Sequence, residues 1–373
     1  MHFMTEAVQL NVEDLLQQAR ALPYGPGRVA VVEEAVRYAD AHTDVDSGYE
    51  ARMELLDAAV MGGRGDLLVA HYPWCLAQFD RDPDRFDEYQ LLWRFKWVMG
   101  HVLEFPQISL GQIDGLFEEM ADRFRRYGAG DRVLAGFQLS LAKHRGVVDD
   151  AARSFDEFLA HPRDSLSNCA ACDANAVVGY HRWRGDHAAA VRSADRILAN
   201  RLACRRVPEN THATLLHSLL ELGDDAQAVA LHQQGLRSST ASGDLSNLAK
   251  HLTFLARTDN LAPAVRLFEK FLPNAAAGYE PESRFAFLMA GRFLCDRLLA
   301  NDWRRGLRVP PALTSTNRKT TSDVATLRAW LDAECRQLAA QFDERNATDQ
   351  FSKRIAEQAD LHAKVRPVPL TRD

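Results

Sequence analysis

The sequence predicts an all-α protein built from stacked helical hairpins. Apolar residues recur at intervals of three and four along nearly the whole chain of 373 residues, which is the period of one face of a helix. Short runs of alternating apolar and polar residues, which would indicate strands, are almost absent. Turn-forming residues divide the helical pattern into pairs. We therefore expect a solenoid in which each hairpin packs on the next.

The helices are predicted in order from the turn signals between them. Residues 12–21 and 28–41 form a first pair, because a segment rich in proline and glycine separates them. Further hairpins follow at similar intervals up to a helix over 281–300. The sequence then predicts a linker or long loop over 305–322, since this stretch is rich in proline, serine, threonine and basic residues.

Five hairpin turns share one pattern: a small or turn-forming residue, an alanine five residues later and a core position nine residues later. The five sets are Gly65, Ala70 and Trp74; Gly146, Ala151 and Phe155; Gly185, Ala190 and Ala194; Gly223, Ala228 and His232; and Asp259, Ala264 and Phe268. From Gly146 onward the turn residue recurs every 36 to 39 residues. A fixed period of this size is typical of helical repeat arrays.

This pattern resembles the second half of a tetratricopeptide repeat (TPR), in which a glycine ends the first helix, an alanine permits close helix approach and an aromatic residue closes the hairpin. The resemblance covers residues 46–272, with degenerate hairpins before and after. The family's first-helix Trp, Leu-Gly and Tyr positions are mostly replaced, and the repeats exceed the usual length of about 34 residues. The resemblance implies a right-handed superhelix with a concave groove.

The predicted organisation has three parts. Residues 1–304 form the TPR-like array, 305–322 the linker, and 323–373 a C-terminal helical cap and tail. The cap consists of a long amphipathic helix from Asp323 to about Arg345, followed by a shorter helix to about Val365. End units of a repeat array have to differ from the others, because one of their faces has no neighbour to cover it.

Composition limits the classes of function. The net charge of −6 gives no overall attraction to nucleic acid or to an anionic membrane, so we expect neither as a partner. The N-terminus has no secretory signal pattern, and no apolar run reaches the length of a membrane helix, so a cytoplasmic protein is predicted. Six cysteines are too few for a secreted disulfide framework, which leaves reduced thiols or metal ligands.

The resemblance also selects candidate groove positions, counted back from each hairpin turn to the positions that face the groove in TPR proteins. They are Lys143, His144, Asn175, Arg182, Asn210, His217, Lys250 and Arg257. Together they form a mildly basic, amide-lined stripe that suits the carboxylate of a peptide or an acidic protein segment. The alternative is that these are ordinary solvated helix positions.

The second candidate site is a metal cluster of Cys169, Cys172, Cys204 and His212. Zinc prefers four tetrahedral Cys or His ligands, and a C-x-x-C pair supplies two of them across one turn. First helices of successive hairpins are neighbours, so residues about thirty apart in sequence become adjacent in space. Asp173, Glu209 and His161 are alternatives to His212 as the fourth ligand. Unligated core cysteines and a redox pair are the other interpretations.

From these observations the sequence favours a non-enzymatic scaffold that binds a protein segment or peptide in its groove, with a structural zinc between the central repeats. Two alternatives remain. One is a regulator that responds to a peptide or metal by changing the pitch of the superhelix. The other is a metalloenzyme centred on the cysteines, which would need an open metal position beside a general acid or base. We predict no catalytic residues.

Overall fold

The structure is a computed structural model that describes residues 11–311 and 321–370. The parts of the predicted array, linker and tail that fall on residues 1–10, 312–320 and 371–373 lie outside the described residues. Within the described ranges the protein is helical apart from one short two-stranded ladder. The chain divides into two compact units, Met1–Val102 and Leu103–Asp373.

The first unit contains five α-helices. They are α1 (Val12–Ala21), α2 (Pro26–Ala41), α3 (Val45–Gly62), α4 (Gly65–Arg81) and α5 (Glu88–Val102), with a 3-10 turn at Pro83–Arg85. Local chemistry determines where they begin. Asn11 accepts a hydrogen bond from the Asp14 amide, and the Asp14 side chain accepts one from the Asn11 amide, so this reciprocal cap starts α1.

The second unit contains the remaining helices and the ladder. They are α6 (Leu110–Tyr127), α7 (Asp131–Arg145), α8 (Val148–Ala160), α9 (Ala170–Trp183), α10 (His187–Ser193), α11 (Asp195–Leu198), α12 (Glu209–Leu222), α13 (Asp225–Ser242), α14 (Leu245–Arg257), α15 (Leu261–Ala277), α16 (Pro281–Ala300), β1 (Leu307–Arg308), β2 (Thr321–Ser322), α17 (Val324–Asn346), α18 (Gln350–Glu357) and a 3-10 helix at Gln358–Lys364. The predicted helices over 12–21 and 281–300 are therefore confirmed to the residue.

Four of the five predicted hairpin turns share one backbone conformation. Gly146, Gly185, Gly223 and Asp259 all have a positive φ, between 60° and 77°. The left-handed conformation ends one helix and redirects the chain into the next, and glycine adopts it at the lowest cost. At the fifth predicted turn, between α3 and α4 of the first unit, the left-handed residue is Gly63, so the prediction of Gly65 was wrong by two residues.

The alanine five residues after each of these four turns is fully buried. Ala151, Ala190, Ala228 and Ala264 are all 0% exposed. A methyl group at this position lets the second helix of a hairpin approach the first closely. Ala70, the corresponding residue of the first unit, is exposed. The pattern therefore holds in the second unit and fails in the first.

The first helices of successive hairpins lie side by side in the second unit. Helix α9 packs on α12, α12 on α14, and α14 on α16. Each of these helices also packs on its own hairpin partner, as α12 does on α13 and α14 on α15. This row of first helices carries most of the predicted groove positions.

The described part of the predicted linker is packed against the second unit. Leu307 is fully buried and Val309 nearly so. The carboxylate of Glu269, which is 1% exposed, accepts hydrogen bonds from the backbone amide and the Nε of Arg308, both at 3.0 Å. These contacts hold β1 on α15.

Candidate functional site

A cavity of about 640 Å³ lies in the second unit, along the row of first helices. Helix α9 contributes Arg182, α12 contributes His217, and α14 contributes Lys250 and Arg257. All four were predicted groove positions, and the structure brings them to one cavity although they span 75 residues of sequence. Their role in binding stays a prediction.

The C-terminal segment forms another wall of the cavity. Arg354 of α18 and Lys364 of the 3-10 helix both line it. The segment then continues along α14, where the Arg366 amide donates to the Arg257 carbonyl at 3.0 Å and the Val368 amide donates to Thr258 at 3.1 Å. The predicted cap therefore covers the predicted groove.

Two carboxylates, Glu282 and Glu104, line the cavity beside α16, and their pKa values are shifted in opposite directions. Glu282 Oε2 lies 3.3 Å from His144 Nε2, and Glu282 Oε1 lies 3.4 Å from the Arg354 guanidinium. Burial opposes ionisation, but His144 and Arg354 outweigh it and lower the pKa of Glu282 to about 2. Glu104 accepts hydrogen bonds from the Ser283 amide and hydroxyl. Burial, and then the charge of Glu282, raises the pKa of Glu104 well above its usual value.

His217, Arg257 and Glu221 form a hydrogen-bonded cluster. One Arg257 nitrogen donates to His217 Nδ1 at 2.9 Å and another donates to Glu221 at 2.9 Å. Burial, followed by the positive charges of Arg182 and Arg257, lowers the pKa of His217 to about 3, so the ring is neutral near pH 7. A neutral ring can accept the hydrogen bond that Arg257 donates.

The two predicted groove asparagines connect neighbouring first helices. Asn175 accepts a hydrogen bond from the Thr211 hydroxyl at 2.6 Å, and Asn210 accepts one from the Asn247 amide at 2.7 Å. Each side chain therefore joins its own helix to the next. Neither lines the cavity.

His144 was predicted as a groove residue, and the structure places it among the C-terminal helices. Its ring packs against Phe342 and Phe351. Its Nδ1 lies 3.2 Å from the side-chain nitrogen of Asn346. Nε2 and Glu282 approach without the alignment of a hydrogen bond, although their separation is that of an ion pair.

Three of the four predicted metal ligands come together. The sulfur atoms of Cys169, Cys172 and Cys204 all lie within 4.8 Å of one another, close enough to hold a metal ion. Cys169 caps α9 by accepting a hydrogen bond from the Cys172 amide, and Cys172 Sγ lies 3.6 Å from Cys204 Sγ. Burial raises the pKa of Cys169, but hydrogen bonds from Cys172 and Cys204 outweigh it, so that pKa is lowered.

His212 does not join the three thiols. It lies on the side of α12 that faces α13, where its Cβ is 3.0 Å from the position that a Cβ on Gly235 would occupy. The alternative ligand Asp173 is also engaged elsewhere, since it forms ion pairs with Arg132 and Arg163. The fourth metal position is therefore not assigned to either residue.

Comparison with known proteins does not identify this chain. No family model matches the sequence, and neither does any curated protein. In the described parts of the chain, no helix combines the length and the apolar character needed to cross a bilayer. The fold and the cavity define an all-helical protein with a charged internal site, and the function has to be argued from that site.

Sequence reasoning missed the acidic and C-terminal residues of the cavity. Glu104 contacts Ser283 across 179 positions of sequence, and the C-terminal Arg354 contacts Glu282 across 72. The repeat pattern cannot predict such contacts, because it describes only neighbouring hairpins. The one local signal was the acidic first turn of α16, which is common at helix N-termini.

Proposed function

We propose that this chain is a TPR-like protein of stacked helical hairpins that binds an acidic protein segment or peptide and is not an enzyme. One observation carries the proposal: four predicted groove positions, on three successive first helices, line one cavity. Several cationic side chains around one cavity can recognise carboxylates through charge-assisted hydrogen bonds.

The repeated geometry of the second unit supports the solenoid part of the proposal. Its four hairpins share the left-handed turn residue and the buried alanine, and the first helices of three of them, α9, α12 and α14, lie in a row. A row of this kind buries the apolar face of each hairpin against the next, which is the physical basis of solenoid folds. A preformed surface also binds with little ordering cost on the protein side.

Peptide selection tests the binding proposal. The full chain would be incubated with pooled random hexapeptides that carry free C-terminal carboxylates, and the bound peptides would be identified by mass spectrometry. We expect acidic sequences to be enriched, and the enrichment to fall about tenfold in Arg182→Gln. Arg304→Gln is the control, because it removes the same charge from a side chain that is 90% exposed and does not line the cavity. Equal enrichment by wild type and Arg182→Gln would reject the proposal.

We further propose that Cys169, Cys172 and Cys204 hold a structural zinc ion. Their sulfur atoms lie within 4.8 Å of one another, and thiolates are ligands that zinc prefers. Cys169 and Cys172 begin α9, whereas Cys204 lies in the loop before α12. A metal here would join two consecutive hairpins, which is a structural role.

Elemental analysis tests the zinc proposal. Protein purified under reducing conditions should contain one zinc per chain, and Cys172→Ser should lower both the zinc content and the melting temperature, because metal binding is coupled to folding of the site. Cys335→Ser, which changes a cysteine outside the cluster, should leave the zinc content unchanged. Wild-type protein without stoichiometric metal would reject the site.

A further inference from the structure

Two cations that line the cavity, Arg182 and Lys250, form no ion pair with a carboxylate among the described residues. The Nε of Arg182 is also buried with no hydrogen-bond partner among the described residues. The charged group with the largest effect on the pKa of Arg182 is another cation, Arg354. A buried guanidinium nitrogen without a partner is unfavourable, and a bound anion would supply one.

Two lysines on other first helices add to this charge: Lys250 also lines the cavity, whereas Lys143 lies beside α9, with its Nζ 3.7 Å from the position that a Cβ on Gly179 would occupy. Lys143 lies on α7 and Lys250 on α14. Burial, followed by the charge of Arg182, lowers the pKa of Lys143 to about 8. Burial also lowers the pKa of Lys250 to about 8. The positive charges of Arg182 and Lys143 lower this pKa further, whereas the negative charge of Asp244 raises it. The three cations are therefore close enough to repel one another.

Two carboxylates beside these cations are already engaged with other groups. Glu282 is paired with His144 and Arg354, while Glu221 is paired with Arg257 and Lys364. These contacts use the negative charge that could otherwise neutralise the three cations.

The other acids near these cations do not pair with them either. Asp244 is paired with Arg206 and caps α14 by accepting from the Asn247 amide. Glu104 has a raised pKa and accepts from Ser283. Glu357 and Asp360, both exposed, line the cavity from the C-terminal segment. None of these carboxylates forms an ion pair with Lys143, Arg182 or Lys250 in the described residues.

The size and the remaining wall of the cavity restrict the ligand further. A volume of about 640 Å³ is typical of a site for a small organic molecule. Apolar side chains line the cavity beside the cations; they are Leu216, Leu220, Phe254 and Met289. A ligand that fits both parts has a charged head and an apolar body.

We propose that Lys143, Arg182 and Lys250 form the binding site for the phosphate-class dianion of a small organic ligand, with the apolar wall contacting the body of that ligand. Three cations on three different helices match a tetrahedral dianion better than a single carboxylate, because a dianion offers three or more acceptor oxygens and a larger charge. The inference rests on the proposed function only in that it uses the same cavity.

Calorimetric titration tests the site with two probes, phenyl phosphate and inorganic phosphate, added to the full chain in a phosphate-free buffer. We expect phenyl phosphate to bind and Arg182→Gln to weaken it at least about tenfold. Arg304→Gln should bind as the wild type does. Tighter binding of phenyl phosphate than of inorganic phosphate would support contact between the apolar wall and the body of the ligand. Equal binding of the two probes would overturn that part of the proposal.

Stability provides an independent readout. Arg182→Gln should unfold at the same temperature as the unliganded wild type or higher, because it removes a buried charge that has no partner. Phenyl phosphate should raise the melting temperature of the wild type and leave that of Arg182→Gln unchanged. A wild type that neither binds the probe nor is stabilised by it would overturn the inference.

The two proposals can fail separately. Enrichment of acidic peptides without binding of phenyl phosphate would reject the dianion site and leave the peptide groove. Binding of phenyl phosphate without peptide enrichment would support the dianion site and reject the peptide groove.

Discussion

Glu282 Oε2 lies 3.3 Å from Nε2 of His144, and this contact joins the first turn of α16 to the last turn of α7. The two residues are 138 positions apart in the sequence. Arg354 approaches the other oxygen of Glu282 from α18. One carboxylate thus holds together a central hairpin, α16 and the C-terminal segment that covers the cavity.

The stability of the protein should depend on the ionisation of Glu282. Its folded-state pKa of about 2 is below the value in an unfolded chain, so its contribution is present above about pH 4.5 and is lost as the pH falls toward 2. We expect a loss of up to about 3 kcal/mol over this window. The measurement is urea unfolding of wild type and Glu282→Gln between about pH 2.5 and 7. The difference in the free energy of unfolding between the two proteins gives the contribution of Glu282 at each pH. Glu357→Gln, at an exposed position, is the control. A difference between wild type and Glu282→Gln that does not change with pH would contradict the prediction.

Arg345 should be essential for the packing of α17 on the segment that follows Val102. Its guanidinium donates to the carbonyls of Phe105 at 3.2 Å and Leu103 at 3.3 Å, and burial lowers its pKa to about 10. Arg345→Met would remove both of these hydrogen bonds, although the Phe105 carbonyl would still accept from the Ile108 amide, and should cost about 3 kcal/mol in the free energy of unfolding. Arg336→Met on the same helix changes a mostly exposed side chain and should cost less than about 0.5 kcal/mol. Equal losses in urea unfolding would show that Arg345 has no special role.

Gly291 should not tolerate alanine, although alanine is the better helix former. A Cβ at Gly291 would lie 2.3 Å from a ring carbon of Phe268, which is fully buried and stacked on Phe287. The overpacking cost of roughly 1–3 kcal/mol should exceed the helix-propensity gain of about 1 kcal/mol.

The matched control for this substitution is Gly115→Ala in α6, where nothing lies within 4 Å of the added Cβ. Thermal unfolding should show a lower melting temperature for Gly291→Ala and a slightly higher one for Gly115→Ala. The double variant Gly291→Ala with Phe268→Leu should recover part of the loss, because leucine frees the space of the ring. A stabilised Gly291→Ala would show that α15 and α16 are not packed this closely.

Four of the six cysteines should react with iodoacetamide in two groups. Cys75, Cys295 and Cys335 are 0% exposed, and burial raises the pKa of each to about 12, so they should be labelled only after unfolding. Cys169 is exposed and should be labelled in native protein from which zinc has been removed with a chelator. Mass spectrometry of native and urea-unfolded samples would measure both groups. Labelling of Cys295 as fast as that of Cys169 would be inconsistent with this packing.

The helices and their turns could be predicted because their causes are local. Gly146, Gly185 and Gly223 adopt the left-handed conformation that ends a helix, and each is followed five residues later by a buried alanine. The same reasoning misplaced the turn in the first unit, where Gly63 precedes Gly65 by two residues. Two nearby glycines satisfy the same local rule, so only packing decides between them.

The candidate sites were predictable in part for the same reason. Cys169 and Cys172 share the first turn of α9, and the stacking of hairpins brings Cys204 to them. His212 was wrongly placed, since its side of α12 faces α13 and Gly235. Each residue turns an α-helix by about 100°. If a helix begins a few residues away from the predicted start, its side chains therefore point in directions different from those predicted.

The amino-acid sequence by itself determined the helical class, the bounds of α1 and α16, and the row of positions that includes Arg182 and Lys250. These follow from periodicity and turn chemistry, which act over a few residues. Only the tertiary structure decided that the C-terminal segment covers this row, that Glu282 pairs with His144 and Arg354, and that Arg182 has no carboxylate partner among the described residues. Such contacts join residues that are far apart in the chain, and they form only when all the hairpins are packed together.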